Sequence, residues 1–226
     1  STVDANHAQQ RGGGIRNDTT ATVSTSSITG NSAPWGGGIY NTATGIANVF
    51  NSTIAYNGAN QDDDANGGQA GGVVNYGIFA IRNTLIAANN IEGIPLYDDC
   101  AGTINSYGRN LIRALDTTNV GTCTTKNVTG SWTQLNSIAL LSGLQNNGGP
   151  TLTVALLPGS SAIDGADPVH GCIDANGVIP APLSTPRQRT RMGTGWRTPW
   201  TIARCVPIRS SAIPTETAMA TAVTET

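Results

Sequence analysis

The chain has 226 residues, of which only 12% are charged, and a formal net charge of −2. That balance gives no electrostatic footprint for nucleic acid, and no apolar run reaches membrane-spanning length. With 30 Thr, 21 Asn and 28 Gly against two Phe and two Met, the composition favours strands and tight turns over helices, and its small apolar residues suit a narrow core built in thin layers.

The opening STVDANHAQQ has neither a basic start nor an apolar stretch, so no signal peptide is read there. With a glycine run already at residue 12, the chain reads as a fragment or mature form, and the missing signal does not argue for the cytosol. A repeat then begins. Unit one is RGGGIRNDTTATVSTSSITGN, Arg11 to Asn31. Unit two is WGGGIYNTATGIANVFNSTIAYN, Trp35 to Asn57. Unit three is AGGVVNYGIFAIRNTLIAANN, Ala70 to Asn90. The Asn after each glycine run falls at Asn17, Asn41 and Asn75, offsets of 24 and 34. The longer offset contains the insertion GANQDDDANGGQ.

Each unit predicts two short strands, one at the GGGI segment and one at segments such as VFNSTI. Strict alternation in the latter would put Val49, Asn51 and Thr53 on one face and Phe50, Ser52 and Ile54 on the other. A period near 24 suffices for one coil of a parallel β-helix, whose inner face is buried only when coils stack. Gly36, Gly37 and Gly38 then supply a corner and a strand. Asn17, Asn41 and Asn75 stack as equivalent turn residues. A sandwich or propeller of hairpins would instead place Asn-Gly or Asp-Gly pairs between strands, and the glycine runs do not sit that way. GGGIYN is no phosphate loop either, since it lacks the Lys-Ser/Thr ending and no helical pattern follows.

Farther along lie DDCAGTINSYGRNLI, Asp98 to Ile112, and LLSGLQNNGGPTLTVALLPGSSAIDGAD, Leu140 to Asp167. The units resemble the repeat of polymorphic outer-membrane proteins. The two later segments resemble the D-C-x-G-x-I-x-S-x-G-x-N-L-I and L-x-x-L-x-x-N-G-G-P-T-x-T-x-x-L-L-P-G-S-x-A-I-D elements of bacterial choice-of-anchor Q, or CSLREA-associated, surface proteins. The matches run from about residue 11 to 174. The resemblance implies a right-handed parallel β-helix (a solenoid) on an exported bacterial protein, with no established catalytic residues. The expected organisation is therefore an all-β, right-handed parallel β-helix over 1–174, with a cap region at 140–174.

Beyond GCIDANG the pattern fails. Six of the twelve basic residues lie from Arg187 to Arg209, and no acid occurs between Asp174 and Glu216. Residues 175–209 thus read as an atypical basic tail, either genuine or frame-shifted. Residues 210–226, rich in Thr and Ala, read as a linker or stalk.

The four cysteines, Cys100, Cys123, Cys172 and Cys205, form no C-x-x-C pair, and His7 and His170 lie far from zinc-ligand spacing. An even count fits disulfides in an exported protein. Three pairings are open; the sequential one, 100–123 and 172–205, is preferred because each bridge closes a local loop.

Candidate chemistry is sparse. Asp62, Asp63 and Asp64 are a weak candidate calcium loop, lacking the alternating ligands of an EF-hand, and read better as a solvated loop. Asp98 and Asp99 would point to opposite faces of a strand, so a turn role is favoured over acid–base catalysis. Asp164, Asp167 and His170 near Ser161 are merely local, whereas triads draw on distant segments. Arg82, Arg109 and Arg113 would suit a uronate carboxylate, and Tyr40, Tyr56, Tyr76, Tyr97 and Tyr107 would suit sugar rings if they formed one row. Solvated surface and simple packing explain both sets. Asn17, Asn51 and Asn127 begin N-x-S/T sequons, meaningful only in a eukaryotic secretory setting.

The reading is a secreted or cell-surface, adhesin-like scaffold with no catalytic residues and no cofactor. It would present loops such as 58–69 to a surface polysaccharide or a host or cell-surface protein. The alternatives are a β-helical polysaccharide lyase or glycoside hydrolase, or a non-catalytic carbohydrate-binding module.

Overall fold

The computed structural model describes residues 1–59, 69–91, 98–113, 123–127, 133–135, 137–163 and 165. Asp62 to Asp64, Cys172, Cys205, the tail at 175–209 and the stalk at 210–226 lie outside them. Among the described residues there are strands and turns but no helix.

β1 (Thr2–Asp4) precedes the first repeat, which supplies β2 (Ile15–Asn17), β3 (Thr20–Ser24), β4 (Ser27–Thr29) and β5 (Ser32–Ala33). The second supplies β6 (Ile39–Asn41), β7 (Ile46–Phe50), β8 (Thr53–Ala55) and β9 (Gly58–Ala59). The third supplies β10 (Val73–Asn75), β11 (Ile78–Arg82), β12 (Leu85–Ala87) and β13 (Asn90–Ile91). Then come β14 (Cys100–Ser106), β15 (Asn110–Ile112), β16 (Cys123–Asn127) and β17 (Thr133–Leu135). An antiparallel hairpin of β18 (Leu141–Gln145) and β19 (Thr153–Leu156) follows.

Every pairing outside that hairpin is parallel and joins a strand to its counterpart one repeat on. One row runs β2-β6-β10-β14, a second β3-β7-β11-β14-β16, a third β1-β4-β8-β12-β15-β17, and a short fourth β5-β9-β13. The protein is therefore all-β, made of repeats stacked in parallel register, an arrangement compatible with a β-helix. The first and second rows meet in β14, which pairs β10 through Cys100 and Ala101 and β11 through Asn105 and Ser106. In the fourth repeat two strands have become one.

Three rows enclose one core. Ile39, Val73 and Cys100 come from the first, Val49, Phe79, Ile81 and Ile104 from the second, and Ile28, Ile54, Ile86 and Ile112 from the third. Register stacks like on like: Val3, Ile28, Ile54, Ile86 and Ile112 are successive partners. Each fully buried Ile or Val contributes roughly 1.5–3 kcal/mol by leaving water.

Strict alternation through VFNSTI fails. Asn51 has φ +49°, and it divides β7 from β8. The left-handed residue turns the chain through a corner and resets the period, so Val49 and Ile54 both reach the core. The same corner recurs at Thr25, Asn83 and Arg109, with φ of 50°, 47° and 53°. Its local cost is of order 1 kcal/mol per non-Gly residue; the Asn83 Nδ2 to Asn51 Oδ1 bond, 3.2 Å, offsets part of it.

Buried polar side chains bind the repeats together. Asn6 donates Nδ2 to Asn31 Oδ1, Asn31 to Asn57, Asn57 to Asn89, and Asn89 to Asp99 Oδ1, at 2.8–2.9 Å. The same acceptor oxygens take the backbone N–H groups of Asn6, Asn31, Asn57 and Asn89. A second ladder runs from Asn17 to Asn41 to Asn75, at 2.7 and 2.8 Å, and ends on the Thr103 carbonyl. An amide carries donor and acceptor on one group, so identical residues on successive rungs are self-complementary. A carboxylate only accepts, so Asp99 fits the final rung of this donor sequence.

Cys100 is joined to Cys123, one repeat farther along the stack. This is the first of the two local bridges preferred from sequence. Closing a loop of sequence separation 23 stabilises the fold by about 3 kcal/mol on chain-entropy grounds.

The segment expected to form the cap packs along the outer face of the third row. Leu85, Ala87 and Leu111 point away from the Ile column and meet Ala139, Leu141, Leu156 and Ala162. Thr2 Oγ1 donates to the Leu152 carbonyl, and Tyr56 Oη to that of Leu141. The hairpin thus reaches from the fourth repeat back to β1.

Two stability contrasts follow from this packing. At Gly102, φ is +93° and a Cβ would overlap the Asn75 carbonyl, whereas a Cβ at Gly143 meets nothing within 4 Å. Gly102→Ala should cost more than about 3 kcal/mol, and Gly143→Ala should stay within about 1 kcal/mol. Equal urea midpoints for the two variants would contradict the register described. Asn57→Leu, which orphans partners on both neighbouring rungs, should cost about 3–5 kcal/mol; a loss under about 1 kcal/mol in the same titration would show that the ladder is energetically idle.

Candidate functional site

The left-handed corner at Gly12 and Gly36, with φ of 69° and 64°, is matched in the third repeat by Ala70 at 35°. The residues before it, Arg11, Trp35 and Gln69, are successive bridge partners. Unit three therefore aligns with its predecessors from Gln69. Gly37 lies where a Cβ would strike the backbone of Gly58, at the end of the same repeat, and Gly38 where it would strike that of Gly72 in the next, so both are glycine because other backbone passes close by. After the corner, Ile39 enters the core, Tyr40 faces outward, and Asn41 turns into the ladder.

Two outward columns result: Arg11, Trp35 and Gln69 before the corner, and Arg16, Tyr40, Val74 and Ala101 along the first row. Trp35 packs against the buried cluster of Tyr40, Ala70, Val74 and Ala101. The Tyr40 and Tyr76 rings are 5.8 Å apart, tilted by 54°. The Arg11 guanidinium carbon lies 5.2 Å from the Tyr40 ring centre and 5.9 Å from that of Trp35, within range for cation–π attraction to both. Tyr76 Oη donates to Gln69 Oε1 at 2.9 Å, which fixes a ring that is 51% exposed. Arg16 is ion-paired with Asp18 at 3.1 Å. Among the described residues Arg11 meets no carboxylate. The result is an aromatic shelf with a guanidinium held on it.

The other sequence candidates are dispersed or committed to structure. Asp98 and Asp99 are both buried. Asp99 accepts from Asn89, and Asp98 Oδ2 accepts the Ala70 N–H at 3.3 Å, so each ties one repeat to another. Arg82 lies beside Phe50 on the second row, Arg109 sits at a left-handed corner, and the Arg113 N–H bonds the Ile86 carbonyl. Among the described residues, Tyr40 and Tyr76 are brought together as a ring pair; Tyr56 bonds to the hairpin through Oη, and Tyr97 falls outside the described residues, as do Asp164, Asp167 and His170. Asn17 and Asn51, which open sequons, are buried in ladders, so neither side chain is accessible in the folded protein. Among the described residues no three His, Cys, Asp or Glu converge as metal ligands, and no helix is long and apolar enough to cross a membrane.

Sequence reasoning missed Arg11, Trp35 and Gln69 as a group. Their signal was present, since each stands immediately before a left-handed corner of the repeat. Ala70 in place of the first glycine concealed the third. Comparison with protein-family models, curated proteins and solved structures finds no significant match to this chain.

Burial, and secondarily the neighbouring Tyr40, raise the Tyr76 pKa above the ordinary phenol value, while Arg11 opposes them. A phenol whose pKa is raised on folding leaves stability unaffected below the ordinary phenol range and reduces it as pH rises through that range. Alkaline ultraviolet titration of the protein against Tyr76→Phe should show the missing transition above pH about 10, and Arg11→Gln should move it higher still. A transition at or below that of free tyrosine would contradict the shelf geometry.

Proposed function

We propose that the chain is a right-handed parallel β-helix serving as a non-catalytic extracellular or cell-surface scaffold, adhesin-like, and a member of the choice-of-anchor Q group that its DDCAGTINSYGRNLI and NNGGPTLTVALLPGSSAID segments resemble. The observation that carries the reading is the Asn6–Asn31–Asn57–Asn89–Asp99 ladder. It commits the polar interior, including a fully buried carboxylate, to holding one repeat on the next. Catalysis on such a frame needs carboxylates or cations gathered on one outer face. The Cys100–Cys123 bridge supports an oxidising compartment. What the frame offers a partner is a surface with fixed spacing between repeats, and the aromatic shelf is part of it.

A screen of acidic and neutral polysaccharides tests this, with unsaturated products and reducing ends measured alongside binding. The expected outcome is binding without turnover. Product release that scales with protein concentration, and survives repurification, would replace the scaffold reading with a lyase or hydrolase.

A further inference from the structure

We infer that the shelf formed by Arg11, Trp35, Tyr40, Gln69 and Tyr76 is a binding site for a uronate-bearing polysaccharide; this deepens the scaffold reading and rests on it. The chemistry follows from how Arg11 is held. Two ring faces attract the guanidinium at 5.2 and 5.9 Å, which fixes the group without using its N–H donors. Those donors fit the two oxygens of a carboxylate in a bidentate pair. Beside them lie the half-buried Trp35 and the half-exposed Tyr76 ring, locked by Gln69. Flat aromatic surface pairs with the apolar face of a pyranose.

A carboxylate carried directly on a pyranose, whose C–H face is apolar, describes a uronic acid. The shelf spans three successive repeats, separated by two spacings of about 4.8 Å, roughly the length of a disaccharide, so it would take a short stretch of chain lying along the stack. Among the described residues no carboxylate answers the Arg11 charge, and a neutral glycan would not supply one. Nucleic acid presents a continuous line of phosphates, which needs several unopposed cations; among the described residues the neighbouring Arg16 is already paired with Asp18. The ring contacts also pre-order Arg11, lowering the side-chain entropy lost on binding.

Oligogalacturonate, its fully methyl-esterified form and a neutral cello-oligosaccharide separate charge from ring stacking. Calorimetric titration should show the acid form binding at least roughly tenfold tighter than the ester. Arg11→Gln should abolish that preference, and Tyr76→Ala should weaken acid and ester alike. Both side chains are exposed, and unchanged thermal unfolding would confirm that the variants remain folded. Equal affinity for acid and ester, an undiminished preference in Arg11→Gln, or no binding by the folded protein would each overturn the inference while leaving the scaffold reading standing. Cleavage of the oligogalacturonate would instead end the non-catalytic reading, whatever the shelf binds.

Discussion

Everything in this protein depends on one constraint: each repeat must lie on the next in exact parallel register. Backbone hydrogen bonds supply the attraction between repeats, but they alone would tolerate a slip along the strand. A slip of one residue would send the Ile28–Ile54–Ile86–Ile112 column outward and bring polar residues inward. The asparagine ladders discourage it. Asn31, Asn57 and Asn89 each bond the neighbouring amide side chain and also carbonyls of their own and adjacent strands, so a shifted register would strand several buried polar groups at once. The net gain per bond is only about 1 kcal/mol, but a broken one exposes the full desolvation cost of its partners.

The corners are the second consequence. Turning the chain between rows demands left-handed residues at fixed places, and the protein meets the demand with Gly12, Gly36, Asn51 and Asn83, but also with Thr25, Ala70, Tyr56 and Arg109. Strain at the less suitable residues is sustained by the neighbours above and below, which fix the same turn. Merging of two strands into β14 removes one corner, and Gly102 lets the backbone pass the Asn75 carbonyl at that point. The regular core and the irregular fourth repeat therefore obey the same rule of close backbone approach.

Surface chemistry is a by-product of that regularity. Residues flanking equivalent corners are brought into columns whether or not they share a type. Along one column this places a cation, an indole and an amide in succession, Arg11, Trp35 and Gln69, beside two phenol rings. On the third row, the larger outward residues Leu85 and Leu111 are covered by a hairpin from the same chain, whereas the aromatic shelf holds its rings and its charge at the surface.

By itself, the sequence determined the strand-rich class, the repeat, the glycine corners and the stacking positions Asn17, Asn41 and Asn75, because backbone geometry restricts which residues fit a tight turn and only those residues recur there. It also indicated a local bridge between Cys100 and Cys123, since short loops close readily. It did not reveal the break in strand period at Asn51, since a left-handed turn inside an alternating segment leaves composition and spacing unchanged. Nor did it reveal the shelf. Arg11, Trp35 and Gln69 are 24 and 34 residues apart and chemically unalike, so no motif joins them. Only the tertiary structure decided that they meet, because stacking one repeat on another converts equal positions in the repeat into neighbours in space.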